Sequence, residues 1–212
     1  RRVLFRSGID LSVSAVLAFS GMIASMALAA NNSLHPIVII LIGTVLGTIC
    51  GAANGILVSR AHISPIIATL SMAYILRGAT FLISGGQWVS ANQMSDSFKN
   101  IAVGKFLGVN LLILIAAVVL LLSYYFSTHM TLGRRMYAIG SSPKSAVVTG
   151  INIARVTVVA YMLMGTMAGL CGVLWASKFA SAQSDSARNY ELTVIASCVL
   201  GGVSITGGSG KV

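Results

Sequence analysis

The sequence is poor in charged residues, above all in acidic ones. Only 8% of its 212 residues are charged, with 14 Lys and Arg against 4 Asp and Glu, whereas an ordinary soluble domain is about 25% charged. Disordered chains combine few apolar residues with much charge, so this composition excludes disorder. Nucleic-acid binders cluster Lys and Arg on one face, and the scattered cations of this chain do not support that function. We therefore expect an integral membrane protein.

Cysteine and histidine are also scarce, with three of each. They are isolated along the chain, whereas a metal site needs such residues clustered at ligand spacing. Zinc-hydrolase and nucleophile-elbow motifs are missing from the sequence. The Gly-rich run 207–212 lacks the Gly and the Ser or Thr that a phosphate-binding loop requires. We expect no catalytic residue, no metal and no cofactor in this chain.

Long apolar runs dominate what is present. A transmembrane helix needs about 20 mostly apolar residues, and five stretches qualify: 11–30, 37–59, 66–84, 108–127 and 156–178. A sixth stretch, 190–206, is interrupted by two glycines, so we expect a broken or re-entrant segment buried in protein or lining a cavity. The predicted fold class is all-α, a polytopic transmembrane helix bundle.

The 128–155 loop carries four cations and no acid: Arg134, Arg135, Lys144 and Arg155. Cytoplasmic loops carry an excess of Lys and Arg, which predicts that this loop is cytoplasmic. The sequence predicts one short helix that includes Arg134 and a second from Lys144 towards Val148, ended by Gly150. The loop is either a topology anchor or a docking surface for a soluble partner.

Four glycines recur at spacing four in the second span: Gly43, Gly47, Gly51 and Gly55. On an α-helix this spacing forms one flat stripe, which lets a neighbouring backbone approach closely. The stripe predicts tight helix packing and no chemistry.

Arg77 lies inside an apolar run, where a charge costs about 2.5–3.5 kcal/mol and suggests function. It has two alternative explanations, a functional residue or a structural clamp through an ion pair or a hydrogen bond to loop carbonyls. Asp10 is the expected opposite charge. Glu191, at the start of the sixth stretch, is expected to cap its helix, because the helix dipole favours an acid there.

A short internal similarity relates the segment 8–12 to the segment 202–206, with five spans between them. Inverted repeats with broken helices are typical of transporters that bind their substrate between the repeats. Ser12 and Thr206 are therefore expected to line the path of a polar solute.

Several motifs follow one another in a recognisable order. They are 8–13 (GIDLSV), 51–55 (GAANG) with 63–70 (ISPIIATL), 76–78 (LRG), 131–151, and 190–208. In this order they resemble the permease subunits of bacterial sugar ATP-binding-cassette (ABC) importers, the class that includes ribose, xylose, rhamnose and autoinducer-2 systems within the branched-chain amino acid/sugar permease superfamily. Two departures are Ser14, where glycine is usual, and 141–144, which replaces a Gly-Asn-acidic stretch.

The resemblance implies a monosaccharide or small-polyol permease of the bacterial inner membrane. It implies cytoplasmic ABC ATPase subunits that bind Mg-ATP, a periplasmic sugar-binding protein and a second permease copy or paralogue. Members commonly have about ten spans, so we expect 8–212 to be part of such a permease domain and 1–7 to be a non-native leader.

Two sets of residues follow from the motifs and the resemblance together. The expected substrate pathway consists of Asp10, Ser12, Asn54, Arg77 and Thr206. The expected ATPase-coupling surface consists of Arg134, Arg135, Tyr137, Ala138, Lys144 and Gly150. An ion-driven secondary transporter, with Asp10 or Glu191 binding the ion, stays open as an alternative, as does an intramembrane enzyme or assembly subunit.

Overall fold

The computed structural model describes residues 8–204, and within them five helices are long and apolar enough to cross a membrane. These are α1 (Val13–Ala30), α2 (Pro36–Ser59), α3 (Pro65–Ser84), α5 (Leu111–His129) and α8 (Ile153–Phe179). The shorter helices are α4 (Asp96–Val103), α6 (Thr131–Ser141), α7 (Pro143–Val148) and α9 (Tyr190–Leu200). The predicted all-α transmembrane bundle is confirmed, and each of the five predicted stretches overlaps one of these helices. The predicted leader 1–7 lies outside the described residues.

Proline marks the beginnings of three helices. All three prolines of the sequence, Pro36, Pro65 and Pro143, occupy the first turn of a helix. Proline is tolerated there because its missing N–H has no intrahelical partner in any case. At α2 the preceding His35 also accepts a hydrogen bond from the backbone N–H of Ile37, at 3.3 Å.

The core of the bundle is formed by α1, α2 and α8, which pack against one another, with α3 added against α1. The glycine stripe of α2 faces α8 as predicted. A methyl group at Gly47 would overlap the carbonyl oxygen of Gly165 and lie 2.9 Å from the Cα of Gly169. The two backbones are therefore in direct contact, which is why no side chain fits between them.

Gly47→Ala is expected to destabilise the bundle by about 1–3 kcal/mol, the usual cost of overpacking a filled core. Gly78→Ala is the matched control, because a methyl group there meets nothing within 4 Å and alanine favours a helix over glycine. Thermal unfolding in detergent is expected to show a lower Tm for the first variant and an unchanged or higher Tm for the second. Equal Tm values would contradict close packing at the stripe.

The region between α3 and α5 holds elements that the sequence did not predict. A 3-10 turn (Ala91–Gln93) and α4 are followed by a two-stranded antiparallel hairpin, β1 (Lys105–Phe106) and β2 (Val109–Asn110). Ser177 of α8 fixes α4, since its hydroxyl donates to the carbonyl of Phe98 at 2.7 Å and accepts from the N–H of Ala102 at 3.2 Å. Helix α4 has only eight residues and the strands two each, so the tertiary contacts that hold them leave little periodic signal in the sequence.

Candidate functional site

The candidate site is a cavity of about 310 Å³ between the segment before α1 and the helix α9. Ligand pockets generally measure about 300–1,000 Å³, so this one suits a small solute. Two carboxylates, Asp10 and Glu191, lie in its wall beside apolar side chains such as Val13 and Ile195. The cavity thus combines hydrogen-bond acceptors with apolar surface.

A hydrogen-bonded chain holds Asp10 in place. Asp10 Oδ1 accepts from the backbone N–H of Ser12 at 2.8 Å and from its hydroxyl at 2.6 Å. The first of these bonds forms an Asx-turn, in which an Asp side chain accepts from the backbone N–H of the residue two positions later. Asn54 Nδ2 of α2 donates to the Ser12 hydroxyl at 2.8 Å, and both Ser12 and Asn54 are fully buried. Three of the five predicted pathway residues therefore form one polar unit.

The same segment is fastened to α3 through its backbone. The N–H of Leu11 donates to Thr69 Oγ1 at 3.1 Å, and Thr69 is fully buried. Burial raises the pKa of Asp10, while the two hydrogen bonds from Ser12 oppose that rise. The ionised carboxylate therefore carries a desolvation cost that its local partners offset only in part.

Glu191 is positioned from the opposite side of the cavity. It lies in the first turn of α9, as the predicted cap would, and its Oε2 accepts a hydrogen bond from the hydroxyl of Ser14 on α1. Ser14 is buried and stands where the resemblance led us to expect glycine. The departure from the family pattern thus supplies the hydroxyl that ties α9 to α1.

Arg77 does not pair with Asp10 within the part of the chain that the structure describes, so that predicted ion pair is wrong. Its Nη1 donates to the carbonyl oxygens of Ser184 at 2.9 Å and Ser186 at 2.8 Å. Of the two explanations, the clamp to loop carbonyls is the one observed. Because α9 begins at Tyr190, Arg77 positions the loop that leads to Glu191 and does not line the cavity.

The two copies of the internal similarity meet at the cavity. Gly8, Ile9 and Asp10 lie in one part of its wall and Val203 and Ser204 in another. Residues 8–12 and 202–204 are not helical, and α9 itself has only 11 residues, which is too few to cross a bilayer. The predicted interruption of the 190–206 segment is confirmed, whereas Thr206 lies outside the described residues.

The 128–155 loop forms the two short helices that the sequence predicts, α6 and α7. Gly150 follows α7 with a φ of +77°, a conformation that glycine adopts without steric cost. Arg134, Arg135 and Lys144 are exposed, and Tyr137 is 39% exposed, while Ala138 is half-buried. Since α6 packs against α5, α7 and α8, a force applied to this surface would reach two membrane-spanning helices.

A comparison with protein families decides the identity of the chain. The family described as "Branched-chain amino acid transport system / permease component" matches residues 3–209. The chain belongs to this permease family. No solved structure matches it.

Three relatives show where the permease lies within the family. It is 34% identical to the ribose import permease protein RbsC of Escherichia coli (strain K12), over 99% of its own length and 65% of the relative's. It is 35% identical to the D-allose transport system permease protein AlsC of the same organism, over 97% of its own length and 62% of the relative's. It is 33% identical to the L-arabinose ABC transporter permease protein AraH of Azospirillum brasilense, over 97% of its own length and 60% of the relative's. The chain thus spans about two-thirds or less of the length of these relatives.

The structure adds site residues of the permease that sequence reasoning did not select. From the sequence, Glu191 is expected to cap its helix or, in the alternative secondary transporter, to bind the ion, and the structure places it in the cavity wall. Thr69 lies inside the 63–70 motif but was not selected, and Tyr161 lies in none of the motifs, because single hydroxyls in apolar helices are common. The Tyr161 hydroxyl lies 3.1 Å from where a side chain on Gly8 would begin, so a larger residue at that position would need the tyrosine to shift by a few tenths of an ångström.

Proposed function

We propose that this permease is the membrane-spanning subunit of an ABC importer that moves a monosaccharide or similar small polyol across the bacterial inner membrane. The observation that carries the proposal is the cavity of about 310 Å³ with Asp10 and Glu191 in its wall. Carboxylates accept hydrogen bonds from hydroxyl groups, and such bonds to a charged partner are strong. The apolar side chains beside them suit the C–H faces of a sugar ring. The relatives named for ribose, allose and arabinose support this substrate class.

The energy source in this proposal is a separate pair of ABC ATPase subunits, which bind Mg-ATP and dock on α6 and α7. Exposed Arg134, Arg135 and Lys144 supply positive charge for an acidic partner surface. Closure of the ATPases pushes α6, which moves α5 and α8 as rigid bodies and opens the cavity to one side or the other. A second permease copy or paralogue completes the pore, and a periplasmic sugar-binding protein docks on the opposite face.

A second candidate function is an ion-coupled secondary transporter of a small polar solute. It is favoured by the two carboxylates at one cavity, since intramembrane acids serve as ion or proton sites in transporters. The two functions differ in their energy source, which can be controlled directly in reconstituted vesicles.

The deciding experiment measures uptake of radiolabelled ribose, allose and arabinose into proteoliposomes that contain the full-length permease. With the ATPase subunits, the binding protein and ATP, we expect uptake of at least one sugar. Uptake should disappear when the ATPase is omitted or when ATP is replaced by a non-hydrolysable analogue. Uptake that persists with an ion gradient and no ATPase would reject the ABC proposal and select the secondary transporter.

A further inference from the structure

The hairpin between α4 and α5 exposes apolar side chains at its tip. Its strands pair Lys105 with Asn110 and Phe106 with Val109, so Leu107 and Gly108 form a two-residue turn. Phe106 is 61% exposed and Leu107 is 89% exposed. A water-facing hairpin tip would ordinarily carry polar residues, so this composition needs a physical reason.

The turn also places Leu107 in an unfavourable backbone conformation. Its φ is +51°, and that of Gly108 is +82°, which is the geometry of the tight hairpin turns that favour Asn, Asp or Gly at both positions. A leucine with positive φ is uncommon because its side chain crowds the backbone. A strained and exposed leucine is best explained by an interaction that the side chain makes outside the chain.

The position of the tip relative to the membrane is fixed by α5. Asn110 caps this helix, since its Oδ1 accepts from the N–H of Leu112 at 2.8 Å. The N–H of Leu111 donates to the carbonyl of Gly104 at 2.8 Å and closes the base of the hairpin. The helix has high mean hydropathy (2.3) and no buried residue, so its surface suits lipid. The hairpin therefore lies directly at the membrane boundary.

Up to Asn100, the neighbouring helix α4 shows the opposite surface character, whereas its last residue, Val103, is apolar and exposed beside the hairpin. Its apolar residues Phe98 and Ile101 are buried in the bundle, while Asp96, Ser97 and Asn100 are exposed. Asp96 forms a surface ion pair with Lys99 at 2.8 Å. Within this one segment, polar residues face water on α4, and the exposed apolar residues of the hairpin adjoin the lipid-facing helix.

We propose that Phe106 and Leu107 insert into the interfacial layer of the leaflet in which α5 begins, and that exposed Lys105 interacts with lipid phosphates there. Apolar side chains flanked by a cation are the combination by which interfacial segments bind membranes. The bilayer is the expected occupant because the exposed Phe106, Leu107 and Val109 lie just before the start of α5, whose own surface is apolar and exposed. The insertion anchors the beginning of α5, on the membrane face opposite to α6, and does not depend on which solute the protein transports.

The test uses tryptophan fluorescence of the full-length protein in phosphatidylcholine–phosphatidylglycerol nanodiscs. Leu107→Trp is introduced into a background in which Trp88, Trp175 and every other tryptophan of the full-length protein are replaced by Phe. Asn100→Trp in the same background is the matched control on the water-facing side of α4. We expect blue-shifted emission for the Leu107 variant, with several-fold stronger quenching by lipids brominated at shallow acyl positions than by aqueous iodide. For the Asn100→Trp control we expect stronger quenching by aqueous iodide than by brominated lipids.

Two outcomes would overturn the proposal. Iodide quenching of the Leu107 variant equal to that of the control would place the tip in water. Blue-shifted emission without quenching by brominated lipid would show that protein covers the tip. Phe106→Trp, an aromatic exchange at the neighbouring position, repeats the measurement without altering the turn residue, so a folding defect of the first variant would not leave the question undecided.

Discussion

Reversing the charges of Arg134 and Arg135 together is expected to abolish transport and to reduce ATPase co-purification more than tenfold. Both side chains are exposed on α6, and two reversals replace attraction to an acidic partner with repulsion, which costs several kcal/mol at an interface. A loss of about 1.4 kcal/mol already corresponds to a tenfold change in affinity. The measurement is pull-down of the ATPase subunits by the tagged, full-length permease in detergent.

The control for this experiment reverses two lysines on the other membrane face, Lys99 and Lys178. It changes the net charge by the same amount, so a general electrostatic effect would appear in both variants. We expect ATPase binding to survive in the control. Retained binding in the Arg134→Glu/Arg135→Glu variant, with normal membrane insertion, would show that the 128–155 loop is a topology anchor.

Asp10→Asn is expected to lower sugar uptake by about tenfold or more, because a hydrogen bond to a charged acceptor contributes about 1.5–3 kcal/mol. The same change is expected to raise the Tm at neutral pH. Asparagine keeps an oxygen that accepts the two hydrogen bonds from Ser12 and removes the cost of burying a charge. Uptake into proteoliposomes and thermal unfolding in detergent measure the two effects on the same preparations.

The raised pKa of Asp10 also predicts how the stability of the protein and its sugar uptake change with pH. Burial raises the pKa of Asp10 in the folded protein, so the folded state favours the protonated carboxyl. The resulting gain in the free energy of unfolding is complete at pH values below the pKa that Asp10 has in the unfolded chain. It is lost as pH rises through the folded-state value. Uptake has the opposite trend, falling as pH drops through the raised pKa, because the protonated carboxyl is a poorer acceptor. The Asp10→Asn variant is expected to lack both the pH dependence of stability and the pH dependence of uptake that arise from this group.

Asp96→Asn is the matched control, because Asp96 is exposed and lies on α4, away from the cavity. It is expected to transport at the wild-type rate at neutral pH. Wild-type uptake by the Asp10→Asn variant would remove Asp10 from the pathway. A similar loss in both variants would mean that the defect does not arise in the cavity.

The local patterns of the sequence determined the spans, the glycine stripe and the helices α6 and α7. Each depends on residues within one contiguous stretch of the chain, such as a run of apolar side chains or a glycine every fourth position. The similarity to known permeases also lies in such contiguous motifs. These features could be predicted because their physical causes act between neighbours in the chain.

The site required the tertiary structure, because its contacts join residues far apart in the chain. The predicted ion pair of Arg77 with Asp10 rested on charge alone. In the structure Arg77 instead donates hydrogen bonds to the carbonyl oxygens of Ser184 and Ser186. Ser14 and Glu191 are 177 positions apart, and nothing in either local sequence specifies the other. The low charge content determined that this is a membrane protein, whereas helix packing decided which of its few charges face the cavity. A buried charge needs a partner, and in a folded chain that partner is set by proximity in space.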